Sequence, residues 1–207
     1  MKMLSSIMVT FFLVLSILSI SQSALAYGSY RSSYGDGSNG FLLQLDGIYY
    51  FTTEGGNPPN NANTTVTRQL IDGLFGYHFN LFFLGANYSY DAIVTAPTNS
   101  TTTTDSFRAY GGDLGLMTEN VYLLFTYYFN SYGTVNGGKP GAGAVTDFNN
   151  GTGYQITLGY NFDVGSGFGV GPSLAYKSLT YSSFSSGAST SFTYTTLVPE
   201  VNIRYTF

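Results

Sequence analysis

Along the last stretch of the chain, Leu197, Pro199, Val201, Ile203, Tyr205 and Phe207 alternate with Thr196, Val198, Glu200, Asn202, Arg204 and Thr206. One face is wholly apolar and the other mostly polar. A period of two with that contrast predicts a β-strand held between an apolar and a wet environment. The same alternation recurs along the chain and predicts strands over 41–52, 66–77, 81–92, 106–117, 121–130, 153–162, 168–180 and 193–207. Their number is even, and the connections alternate in length. Those at 78–80, 118–120 and 163–167 are short; those at 53–65, 93–105, 131–152 and 181–192 are long.

Composition decides what covers the apolar faces. Charged residues make up 9% of the chain and aromatics 17%, with 26 Gly and 19 Tyr. A soluble domain carries about a quarter charged residues, so this chain keeps few of its side chains for water. After residue 20 no segment reaches the ~20 apolar residues that a spanning helix needs. The remaining way to satisfy every backbone group in lipid is a closed β-barrel. The formal charge of −4 argues against a nucleic-acid partner. The absence of cysteine removes both a disulfide framework and a lipoprotein anchor.

The N-terminus supports an exported chain. A short basic start at Lys2, an apolar run from Leu4 to Ile20 and small residues at Ala24 and Ala26 form a signal-peptide pattern with its cleavage site. A retained anchor is the competing reading, but Ser5, Ser6, Thr10, Ser16 and Ser19 interrupt the run and no positive cluster follows it. The expected organisation is therefore a cleaved signal at 1–26, a flexible periplasmic segment at 27–40 and a barrel at 41–207. On this reading the short turns are periplasmic and the long loops extracellular.

The two faces of the predicted strands differ in chemistry. Outward positions include Phe41, Leu43, Leu45 and Tyr49; Phe82, Leu84, Ala86, Tyr88 and Tyr90; and Tyr154, Ile156, Leu158, Tyr160 and Phe162. Rings cluster at the strand ends with aliphatic residues between them, which is the pattern of two aromatic girdles around an apolar band. Arg108 shares the outward face near a loop end, within reach of headgroups. Inward positions carry Asp46, Arg68, Asp72, Asp91, Asp113, Lys177, Glu200 and Arg204, with Gln44, Asn87, Gln155, Asn161 and Asn202 among them. Pro172 and Pro199 break the pattern, since each removes a ladder donor inside a strand.

In architecture the chain resembles the small eight-stranded outer-membrane barrels of Gram-negative bacteria, a group that includes the OmpA transmembrane domain, OmpX and OmpW. The resemblance covers Phe41 to Phe207 and lies in the strand pattern rather than in alignable sequence. Val201, Ile203, Tyr205 and Phe207 look like the C-terminal signal read by the barrel-assembly machinery of that group. The resemblance implies an all-β, eight-stranded antiparallel transmembrane barrel in the bacterial outer membrane. Its expected partners are outer-membrane lipid, lipopolysaccharide and that machinery.

A barrel of eight strands is just wide enough to be filled by side chains. Asp46, Arg68, Asp72, Asp113, Lys177, Glu200 and Arg204 are expected to form an ionic network in the lumen, with Lys177 and Arg204 pairing Glu200 and Asp46. The network is either a plug or the lining of a narrow cation path, and the cost of unpaired buried charge favours the plug. Catalysis, a cofactor and a metal site find no support. His78 is the only histidine and falls in a short turn, whereas lipid-modifying barrels of this size keep their His and Ser at the outer rim. The expected role is structural. A surface adhesin acting through the Thr-, Asn- and Gly-rich loops is the alternative, and a lipid-modifying enzyme a more distant one.

Overall fold

The computed structural model describes residues 39–54, 64–97, 102–139, 142–184 and 191–207. The expected signal segment with Ala24 and Ala26, and all but the last two residues of the 27–40 segment, lie outside the described residues. Every described element is a strand: β1 (Gly40–Glu54), β2 (Thr64–Phe79), β3 (Phe82–Pro97), β4 (Thr103–Met117), β5 (Val121–Lys139), β6 (Ala142–Tyr160), β7 (Phe162–Gly165), β8 (Phe168–Tyr181), β9 (Ser183–Phe184) and β10 (Phe192–Thr206). Antiparallel ladders join β1 through β6 in order, then β6 to β8, β8 to β10 and β10 back to β1. This is a closed antiparallel barrel of eight strands. The short β7 and β9 pair with β8 and β6 at its margins.

The three tight connections lie at one end of the barrel. Between β2 and β3 the chain turns on Asn80, at φ 54°, a left-handed conformation that Asn tolerates. After β7 it turns on Ser166 and Gly167, both with positive φ. Between β4 and β5 the Thr118 hydroxyl accepts from the Val121 amide at 2.9 Å, a side-chain substitute for a backbone turn. At the opposite end the strands run further than the sequence alone suggests. The predicted loop over 131–152 is largely the continuation of β5 and β6 as a hairpin, pairing from Gly133↔Phe148 to Lys139↔Ala142. Gly137, Gly138 and Gly143 carry no side chains to display the alternation, which hid these strands.

Ladder geometry explains both prolines. The Phe207 amide donates to Phe41 on β1 and the Thr206 amide to Gly167, next to β8, each at 2.9 Å. Odd-numbered amides of β10 therefore point toward β1 and even-numbered ones toward β8. Pro199 is odd, so its missing N–H faces β1, while the β8–β10 ladder passes through it unbroken. The β1–β10 ladder stops at Gly47↔Val201, two residues before it. By the same parity Pro172 lacks its donor toward β6, and the β6–β8 ladder stops at Gly159↔Ser173. The Tyr160 carbonyl, next in that register, instead accepts from Asn202 Nδ2 at 3.1 Å. Pro199 thus sits just past the end of one of its ladders, and Pro172 in a gap of the other, since β7 resumes the same register with β8 at Phe162↔Val170.

Side chains fill the interior. Tyr122 is wholly buried, and a Cβ on Gly159 would lie 2.1 Å from its Cζ. Only glycine leaves room there for the ring. Gly159→Ala should lower unfolding stability by ~1–3 kcal/mol through overpacking, measured as a shift in the denaturant midpoint. An unchanged midpoint would contradict the packing of Tyr122 against β6.

Candidate functional site

Alternation along each strand places one polar layer in the lumen between two apolar clusters. Toward the short-turn end Leu42, Leu74, Phe83, Met117, Tyr122 and Leu124 pack together. Toward the other end Phe107, Ala109, Tyr128, Phe148, Leu179 and Tyr181 do so, with Val135, Phe192 and Tyr194 against them. Tyr122 and Tyr128 belong to the clusters by their rings and to the polar layer by their hydroxyls. The Tyr122 hydroxyl reaches Asp46 Oδ1 at 3.2 Å, and that of Tyr128 reaches Gln155 Oε1 at 2.9 Å and Asn87 Oδ1 at 3.2 Å.

Three cation-centred groups organise the polar layer. Lys177 on β8 reaches across the lumen to Asp72 on β2, with Nζ 3.0 Å from Oδ1, and also donates to Ser89 on β3. Gln155 Nε2 donates to the other Asp72 oxygen at 2.8 Å. Arg68 on β2 grips Asp91 on β3 through both Nε, at 3.0 Å, and Nη2. The same Nη2 donates to the Tyr194 hydroxyl at 2.9 Å and Thr196 Oγ1 at 2.8 Å, both on β10. Arg204 lies over the Tyr122 ring, 4.7 Å from its centroid, and donates from Nε to Gln44 Oε1 at 3.0 Å. Gln44 then passes its own amide protons to both oxygens of Asp46, at 3.0 and 2.8 Å.

The structure brings Asp46, Arg68, Asp72, Asp113, Lys177, Glu200 and Arg204 into the buried lumen but pairs them differently from the sequence expectation. Lys177 takes Asp72, and Arg204 takes Gln44 with the Tyr122 face. Asp46 is held by Gln44, Tyr122 and Ser173. Asp113 accepts from Thr126 and Asn87. Glu200 is 3% exposed, and neither of its oxygens has a hydrogen-bond partner among the described residues. The reason is reach: the closed ring brings β2 within range of Lys177, which a strand-by-strand reading does not anticipate. The sequence sets Asp91 and Arg68 on the same interior face without pairing them, and nothing in it marks Tyr194. The β2–β3 register is the signal for the first, since it sets Arg68 opposite Ile93 and so diagonal to Asp91 on one face.

Elsewhere His78 lies at the short-turn end, its Nε2 3.2 Å from the Met117 carbonyl, which accepts its proton. Of the terminal residues, Val201, Ile203 and Phe207 are exposed on the outer wall; Tyr205 is half-buried, with its ring 4.4 Å from that of Phe168 and 4.8 Å from that of Phe207. Of the loop residues considered for surface binding, 55–63, 98–101, 140–141 and 185–190 lie outside the described residues. Comparison with known proteins finds no family model and no curated protein that matches this chain.

This arrangement can brace a barrel and seal its lumen. Removing one member of a buried pair strands the other, at a cost of ~3–5 kcal/mol, whereas removing both is far milder. Lys177→Met should therefore destabilise the barrel by that amount in denaturant unfolding. The double variant Lys177→Met/Asp72→Asn should recover most of the loss. Equal instability of the single and double variants would show that the pair does not act as a unit.

Proposed function

We propose that this chain is an integral outer-membrane β-barrel with a structural role and a sealed lumen. The observation that carries the reading is the sense of the wall, which is inverted relative to a water-soluble barrel. Leu45, Leu84, Leu114, Leu158 and Ile203 are exposed, while Gln44, Asp72, Lys177 and Asn202 are wholly buried. A contiguous apolar outer surface of this extent needs cover, and lipid is the cover that also suits its rims. Exposed Phe41, Phe79, Phe82, Phe168 and Phe207 gather toward the short-turn end; exposed Tyr49 and Tyr132 stand in the long-loop half of β1 and β5, with exposed Tyr88, Tyr110 and Tyr127 between. Such belts sit at headgroup level in membrane barrels. Arg108, exposed on the outer wall, lies over the Tyr90 ring at 5.6 Å, within the tyrosine belt.

Two apolar clusters bracket the polar layer and support a sealed lumen, since a continuous water path would have to cross both. The C-terminal residues fit an assembly role. Phe207 closes the ladder to Phe41 through its amide and leaves its ring on the outer surface.

Fractionation of cells producing the chain should place it in the outer membrane, with migration on a detergent gel that changes on heating. Recovery in the soluble periplasm would defeat the membrane reading. In planar bilayers the purified protein should give no steady current; a stable cation-selective conductance would instead contradict the seal. Deleting Phe207 should lower the amount of folded barrel in the membrane several-fold, and an unchanged amount would remove its role in assembly.

A further inference from the structure

The wall is not equally closed all the way round. β1 pairs with β2 along its whole length, from Gly40↔His78 to Glu54↔Thr64, and β10 pairs with β8 from Phe192↔Tyr181 to Tyr205↔Phe168. The seam between β1 and β10 has only six pairs, from Leu42↔Thr206 to Gly47↔Val201. Above it the two strands continue, each paired only on its far side. Continued upward, the seam register would set Tyr49 opposite Pro199, which has no N–H to give in that direction. By the same parity the amides of Tyr49, Phe51 and Thr53 on β1, and of Leu197, Thr195 and Thr193 on β10, face the seam without a ladder partner.

Side chains cross the seam where the backbone does not. Arg68 projects into the lumen from β2, opposite Tyr50 of β1 in the register, and reaches past β1 to Tyr194 and Thr196 on β10. The same guanidinium is held by Asp91 on β3 through Nε and Nη2, and the Tyr194 hydroxyl donates to that carboxylate. The Tyr194 ring stacks on Phe107 of β4 at 4.0 Å, which anchors the far end of the tie in the upper aromatic cluster.

We propose that the long-loop half of the β1–β10 seam is a lateral slot, latched from the lumen by Arg68, that opens independently of the rest of the wall. The upper part of β10 is held to the neighbouring strand β1 by no ladder bond, so releasing the latch frees that edge while β2 through β8 remain paired. Opening would carry Tyr194 away from Phe107 and uncover the upper aromatic cluster from the side. The inference concerns the wall itself and holds whether lipid or water covers it.

Residue-resolved amide hydrogen exchange on the folded full chain tests this. The amides of Tyr49, Phe51, Leu197 and Thr195 should exchange at least tenfold faster than those of Leu43, Leu45 and Ile203 on the same two strands. Arg68→Met should accelerate the first set a further several-fold and leave the second set and the β3–β5 ladder unchanged. Because that change strands Asp91, the pair Tyr194→Phe/Thr196→Val serves as a second variant, removing the β10 end of the latch with the Arg68–Asp91 pair intact. It should give the same local acceleration. Equal protection of both sets in the unaltered chain, or acceleration spread evenly over the barrel in the second variant, would overturn the proposal.

Discussion

A wall that turns its aliphatic side chains outward must satisfy its polar ones within the lumen, and most of the interior follows from that constraint. Eight strands leave room for side chains and little else, so the buried charges draw their partners from among them, Glu200 excepted. Asp72 meets this by accepting from both Lys177 and Gln155. Asp46 meets it with neutral donors, from Gln44, Tyr122 and Ser173. The bonds that join β8 to β2 across the lumen also oppose collapse or ovalisation of the ring, because they fix the separation of strands that no ladder connects directly.

Much of this was legible in the sequence. Period-two alternation located the eight long strands and assigned their faces, because a strand with one apolar side displays its register openly. Strand ends at the long-loop side were not legible: Gly, Thr and Asn around 131–152 carry no contrast, yet β5 and β6 pair through most of that stretch. Ion-pair partners divide by distance in the ring. Arg68 with Asp91 is fixed by a single hairpin register and could have been read from it. Lys177 with Asp72 depends on ring closure and on the stagger accumulated over several ladders, neither of which any one segment encodes.

The prolines show why a local violation can carry global information. In sequence Pro172 and Pro199 look like faults within good strands. In the ladder Pro199 falls beyond the last pair with β1 and Pro172 in a short gap between the pairs with β6 and those with β7, and each strand's other edge is undisturbed. Yet the two interruptions are treated differently. At Pro172 the Tyr160 carbonyl is taken up by Asn202, a side chain of the adjacent strand, so the gap is patched at the backbone before β7 resumes the ladder. At Pro199 the compensation comes from inside the lumen, through Arg68.

That difference follows from stagger. Tracing the register sideways from Gln44 through Leu74, Asn87, Gly111, Tyr128, Gly153, Leu179 and Tyr194 climbs steadily and returns to β1 about ten residues higher, as a tilted eight-stranded barrel requires. The two halves of the β1–β10 seam consequently face different layers of the lumen. The paired half lies over Gln44 and Arg204, where the backbone ladder and the Tyr122 stack act together. The unpaired half lies over the Arg68–Asp91 pair and the aromatic cluster, where a bidentate ion pair and a stacked Tyr194 take the place of the ladder. A ladder bond yields only when a strand edge separates, whereas a side-chain tie can be released by rotating one guanidinium. Substituting one for the other concentrates the barrel's capacity for lateral motion in this half of the seam and leaves the polar layer beneath it intact.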